Sequence, residues 1–141
     1  LILATDIDPV MVERATRGQF SSDAMQPVGQ TLQDRYFVPA ESGVEARPGM
    51  RRLMRFAELN LHDAWPFSGL FDVIFCRNAV IYFDGPARQR LWHHFGQALA
   101  PGGSLFIGHS ERIDGPASAY FEIAGTTHYR RNMLPIPVMP A

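Results

Sequence analysis

Six residues have side chains whose type and placement suggest chemistry: Asp6, Asn60, Leu61, Arg77, Asn78 and Tyr82. The plainest signal is FDVIFCRNAVIYFD, residues 71–84, an apolar run broken by Arg77 and Asn78. A buried parallel strand reads as a continuous apolar stretch. Burying an unpaired guanidinium costs far more than one strand residue returns. Arg77 and Asn78 are therefore expected where the strand emerges, at its carboxyl end, the edge at which open α/β sheets bind ligands. A guanidinium there either pairs with a carboxylate of the protein or faces one on a ligand. Tyr82 follows between Ile81 and Phe83, either as a core residue or as a hydroxyl that needs a partner.

Asp6 closes the apolar run LILAT. A carboxylate just past a strand can accept both hydroxyls of a ribose, and it can equally cap a turn. The amide of Asn60, before Leu61, can donate and accept at once, which suits the edge of adenine; a turn asparagine is the simpler reading. Other constellations fail. His109, Ser110 and Glu111 are adjacent, so their side chains cannot converge as a triad does. The five His and Cys76 show no metal-ligand spacing. No phosphate-binding loop of the Walker type is present, and Cys76 reads as a small buried strand residue.

These residues need elements to hold them. LILAT reads as a short buried strand, and Asp8-Pro9 caps a helix that Gly18 stops after Arg17. A short helix fits VGQTLQDRYF. Residues 36–57, with Pro and Gly between alternating pieces, read as a small antiparallel subdomain. Its arginines Arg47, Arg51, Arg52 and Arg55 read most simply as a solvated face. FDVIFC is a strand, and Asp84-Gly85-Pro86 opens a helix whose apolar positions Leu91, Phe95 and Leu99 recur every fourth residue, widened by Trp92. PGG ends that helix, SLFIGHS is a further strand, and YFEIAG with THYRR forms a terminal antiparallel pair joined at Gly125. The expected fold is α/β, a doubly wound sheet with an antiparallel C-terminal edge. Residues 1–131 form its domain, and 132–141 form a flexible Pro-rich tail.

The bulk numbers agree with a single domain. The chain has 141 residues, 46% of them hydrophobic, and a net charge of −1, which disfavours generic nucleic-acid or membrane-surface binding. No apolar run reaches membrane-spanning length. One cysteine excludes an intrachain disulfide framework and fits a reducing cytoplasm. All 13 basic residues are Arg.

Taken together, LATDID, YF, NL at 60–61, FDVIFCRNAVIYFD, PGGSLFIGHSE and THYRR resemble the catalytic domain of the bacterial chemotaxis receptor methyltransferases. The pieces run over residues 3–131 in that family's order. The resemblance implies a class I, Rossmann-like protein-glutamate O-methyltransferase that uses S-adenosylmethionine and releases S-adenosylhomocysteine in the cytoplasm. It implies that Asp6 holds the ribose, Asn60 and Leu61 line the adenine end, and Arg77 and Asn78 stand over the amino-acid portion. Tyr82 would lie near the methyl group and the incoming glutamate. The partner implied is the cytoplasmic methylation region of the receptors; on charge, Arg47, Arg51, Arg52 and Arg55 are the candidates to meet its acidic surface. Some relatives hold a receptor tethering peptide through a longer glycine-rich connection. The short VPAESG here implies no dependence on such a peptide.

The family also has an N-terminal helical domain and a first strand with a glycine-containing cofactor loop. Neither is in this sequence, and the chain is expected to be a fragment. That strand would lie between LILAT and FDVIFC. Two alternatives differ in class: a methyltransferase with another acceptor, and a non-catalytic module that binds S-adenosylmethionine or partners.

Overall fold

Local signals set the first elements. In the computed structural model, which describes residues 1–137, Asp8 accepts the Val10 N–H at 2.8 Å and Gly18 closes the helix at φ 67°. Helix α1 covers Pro9–Arg17 as those caps predict. It follows strand β1, Ile2–Asp6. The chain divides into two compact units, Leu1–Asn60 and Leu61–Ala141.

In the first unit β1 pairs in parallel with Met54–Glu58, from Ile2↔Met54 to Asp6↔Glu58. LILAT was expected to be buried. It is instead half-buried at Leu3 and Ala4 and exposed at Ile2, Thr5 and Asp6, because only one side of β1 carries a ladder. A second, antiparallel sheet is built from β2 (Gln19–Phe20), β3 (Phe37–Ala40) and β4 (Gly43–Ala46) in the order β2-β4-β3. Its limits differ from the expected 36–57. Gln19–Phe20 joins it from upstream, whereas Met54–Glu58, here β5, belongs to the parallel pair. Two residues are too few to show a period, and a strand's partner is not written in its own alternation. Short helices α2 (Ser22–Met25), α3 (Gln30–Tyr36) and α4 (Pro48–Arg51) fill the connections.

In the second unit β6 (Phe71–Cys76) runs parallel to β7 (Leu99–Ile107). Strand β9 (His128–Arg131) pairs antiparallel with β7, and β8 (Phe121–Ile123) covers its outer edge. The order is β6-β7-β9-β8, so the expected antiparallel C-terminal edge is present. Helix α5 (Gly85–Ala98) is capped by Asp84, which accepts the Ala87 N–H at 2.8 Å. Its residues Leu91, Trp92 and Phe95 pack with Leu99, Leu105, Ile107 and Tyr129 in one buried cluster. Leu99, read as the last helical position of the stripe, is the first residue of β7, and Pro101-Gly102-Gly103 falls within that strand at a register shift opposite Asp72.

The parallel strands form two ladders, β1–β5 and β6–β7, and none joins β1 to β6 among the described residues. On the β6–β7 sheet Phe75 is 72% exposed and stacks on Phe106 at 4.7 Å, which stacks on His128 at 4.4 Å.

The first part of the expected flexible tail is tied down. Asn132 donates its N–H to Tyr120 O at 2.9 Å and its side-chain amide to Ala119 O at 2.7 Å, and Gln97 Nε2 donates to Pro137 O at 3.2 Å. Ile136 lies where a side chain on Gly96 would be, 2.6 Å from an added Cβ. Residues 138–141 of that tail lie outside the described residues.

Candidate functional site

The carboxyl end of β6 carries Arg77 and Asn78, as the interrupted apolar run predicts, and both are exposed. Arg77 has no ion pair or hydrogen bond among the described residues, so the reading in which a protein carboxylate neutralises it fails here. Its guanidinium is available to an anionic group from outside. Asn78 has φ 61°, the one non-glycine residue in the left-handed region among those described. Asparagine tolerates that conformation better than most residues, and such outliers concentrate at functional sites. A 3-10 turn over Val80–Tyr82 follows. Val80 is buried while Tyr82 is 83% exposed, so Tyr82 is not a core tyrosine.

Glu111 organises this edge. It is 5% exposed, and three backbone N–H groups converge on its carboxylate. Gly108 and Asn78 donate to Oε2 at 2.5 and 3.3 Å, and Val80 donates to Oε1 at 2.8 Å. A Cβ on Gly108 would sit 2.5 Å from Asn78 Oδ1 and 2.8 Å from Glu111 Oε2, so glycine permits the approach. Sequence reasoning weighed Glu111 only as a triad member beside His109 and Ser110. The one signal that could have found it is GHSE itself, with a glycine three residues before the acid at a strand end.

Cys76 lies next to this cluster, and its thiol is pushed up to about 12 by burial and then by the negative charge of Glu111. The neutral form is favoured by both causes. At pH 8, four units lower, only about one thiol in 10⁴ is ionised, and thiolate is the reactive species. Iodoacetamide at pH 8 should leave Cys76 unmodified in the native protein and alkylate it after denaturation, read by mass spectrometry. Rapid modification of the native protein would contradict the burial of the thiol.

In the chain's first unit, the carboxyl ends of β1 and β5 bring Asp6 and Asn60 close. Leu59, the residue before Asn60, donates its N–H to Asp6 O at 2.9 Å. Asp6 Oδ1 accepts the Asp8 N–H at 3.0 Å, which realises the turn-capping role and leaves Oδ2 open on an exposed side chain. Asn60 is half-buried and engaged in contacts of its own. Leu61 belongs to the second unit, where it packs against the core cluster.

The four arginines 47, 51, 52 and 55 are not equivalent. Arg51 is held by Glu45 at 3.0 Å and by Thr16 O at 3.1 Å, and Arg47 donates to Asp34 O at 3.3 Å. The Arg55 guanidinium reaches only the neighbouring Met54 O, and the Arg52 side chain makes no hydrogen bond or ion pair among the described residues. Arg51, Arg52 and Arg55 line a depression of about 370 Å³ together with Phe56. No group of three His, Cys, Asp or Glu among the described residues is placed to hold a metal, and none of the described helices is long and apolar enough to cross a membrane.

Polar groups at the carboxyl ends of parallel strands mark the edge at which open α/β sheets bind ligands, and in the family that this chain matches that sheet is class I methyltransferase-like. The family described as CheR methyltransferase, SAM binding domain, matches residues 1–130, and the chain belongs to it. Its cofactor is S-adenosylmethionine. The chain is 43% identical over 133 residues to a probable chemotaxis protein methyltransferase of Rhizobium etli, covering 92% of this chain and 50% of that protein. It is 37% identical to a chemotaxis protein methyltransferase of Klebsiella aerogenes (91% and 46% covered) and 35% identical to one of Escherichia coli K12 (91% and 46%). The chain spans about half the length of the curated relatives it matches. A solved O-methyltransferase family protein from Burkholderia thailandensis aligns with 50% of this chain and 24% of its own at 29% identity, with a TM-score of 0.36, too low to bear on the fold.

Proposed function

We propose that the whole protein to which this chain belongs methylates glutamate side chains in the cytoplasmic methylation region of chemotaxis receptors, giving glutamate methyl esters and S-adenosylhomocysteine. The observation that carries the reading is Arg77, an uncommitted guanidinium beside a left-handed Asn78 and an exposed Tyr82 at the end of β6. The chemistry of these groups, taken one by one, suits the parts of the cofactor. Asp6 Oδ2 is open to a ribose hydroxyl, Asn60 and Leu61 would line the adenine end, and Arg77 with Asn78 would receive the amino-acid carboxylate. S-adenosylmethionine supplies a methyl group activated by a sulfonium. Tyr82 would border the acceptor. A glutamate acceptor, with an ordinary pKa of about 4.3, is already ionised at neutral pH and needs no general base. Its oxygen would take the methyl group that the sulfonium supplies, the sulfur leaving as a neutral thioether. Alignment and removal of water from the acceptor are the protein's tasks.

The test is transfer of labelled methyl from S-adenosylmethionine by the full-length protein to a receptor cytoplasmic fragment, read as base-labile esters. Transfer only to small molecules, or none with cofactor bound, would refute the reading.

Receptor contact falls to the exposed arginines. Since Arg47 and Arg51 also brace the first unit, Arg52→Glu and Arg55→Glu are the informative reversals. Each exposed pair contributes about 0–1 kcal/mol. The double reversal should lower receptor methylation several-fold at low salt, with a smaller difference at high salt. The two-residue connection Glu41-Ser42 between β3 and β4 offers little free backbone to an added strand, so methylation should not depend on a terminal receptor peptide. Indifference to both reversals would return the cluster to a solvated face.

A further inference from the structure

Glu111 is buried, accepts three backbone hydrogen bonds and lies beside a site it does not itself enter. Its two oxygens have separate tasks. Oε2 takes the N–H groups of Gly108 and Asn78, joining the end of β7 to the end of β6. Oε1 takes the N–H of Val80, the first residue of the 3-10 turn that ends at Tyr82. The same carboxylate thus grips the chain on both sides of Ala79, immediately after Arg77. It does so where the backbone makes its left-handed excursion at Asn78. A residue in that region is held there by its surroundings rather than by its own preference. Gly108 completes the arrangement, because any Cβ at that position would meet both Asn78 Oδ1 and Glu111 Oε2.

We propose that Glu111 is the positioning residue of this edge: its carboxylate, admitted by Gly108, sets the backbone from which Arg77, Asn78 and Tyr82 project. The proposal rests on the functional reading above, in which those three residues face cofactor and acceptor. A positioning group fixed by buried hydrogen bonds is what a precise site needs, since a small displacement of reacting groups costs rate out of proportion to its size. Charge matters as well as shape. Glutamine at 111 fills the same space but offers one carbonyl oxygen and one NH₂ group. Whichever way it turns, the NH₂ faces an N–H donor of Asn78 and Gly108 or of Val80.

The test uses the full-length protein and S-adenosylhomocysteine as the probe. Isothermal titration gives Kd and stoichiometry separately, so loss of folded protein lowers the stoichiometry while a misplaced site raises Kd. Glu111→Gln should raise Kd about tenfold or more at unchanged stoichiometry, and lower kcat for methyl transfer more than it changes the KM for receptor. Gly108→Ala, which displaces the same carboxylate from the other side, should have the same sign of effect. The double variant should be little worse than the more damaged single one, as two changes acting through one contact are not additive. An unchanged Kd in both single variants, whatever the stoichiometry, would overturn the positioning role. Failure of the unaltered protein to bind the probe would remove the functional reading and this proposal with it.

Discussion

Arg77→Ala in the full-length protein should weaken S-adenosylhomocysteine binding by about 10- to 100-fold while leaving the melting temperature within about 2 °C. A hydrogen bond to a charged group contributes about 1.5–3 kcal/mol, and each 1.4 kcal/mol is a factor of ten in Kd. The sequence alone left two explanations for this arginine, a structural ion pair and a ligand contact, and they differ in what its removal does to folding. The side chain is exposed and has no protein carboxylate within pairing distance among the described residues, so none of them is left uncompensated when it goes. Surface changes of that kind stay within about 0.5 kcal/mol of neutral. Asp6→Ala should act in the same direction on affinity. It also removes the acceptor for the Asp8 N–H, so a small loss of stability accompanies it. Calorimetry beside thermal melts decides the matter. Unchanged affinity after Arg77→Ala would take the residue out of the site, and a melting loss of many degrees would restore the ion-pair explanation.

Phe95→Ala should destabilise the protein by about 3–5 kcal/mol, the usual cost of emptying a buried phenylalanine site. Whole-domain stabilities are only about 5–15 kcal/mol, so a large part of the margin is at stake. Phe95 is 2% exposed on the inner face of α5. Its ring meets Trp65 at 5.3 Å and Trp92 at 6.0 Å, so it links the helix to the segment that follows Leu61. The side chains around it, Leu99, Leu105 and Ile107 among them, sit on a strand fixed by ladders on both sides, which limits how far they can move to fill the space. Denaturant titration should show a lower midpoint with an unchanged slope. A loss below about 1 kcal/mol would mean that the cluster collapses into the vacancy.

What was legible in the sequence was mostly local. Asp8, Pro9 and Gly18 bound α1 because capping and left-handed closure are decided within a few residues. Asp84 does the same for α5, and the apolar run 71–76 is β6 to the residue. Arg77 and Asn78 were placed correctly because a cation cannot be hidden inside such a run. Pairing was harder to see. Nothing in Gln19–Phe20 announces that it will lie against Val44 and Glu45, and Met54–Glu58 alternates as an antiparallel strand would while pairing in parallel with β1. Leu99 kept the helical spacing and was buried as expected, yet the chain had already left the helix at Ala98. Glu111 shows the same limit at the site. Its partners are backbone groups up to 33 residues away, and backbone donors leave no mark in a sequence.

The protected thiol has a use in the laboratory. Cys76 is the chain's single cysteine, and with burial and Glu111 pushing its thiol up to about 12 it should be a silent background for thiol chemistry near neutral pH. A second cysteine introduced at an exposed position, such as Ser118, could then carry a fluorophore or spin label without first removing the native one. The strand end beside Arg77 would keep its own sequence while distances to it are measured.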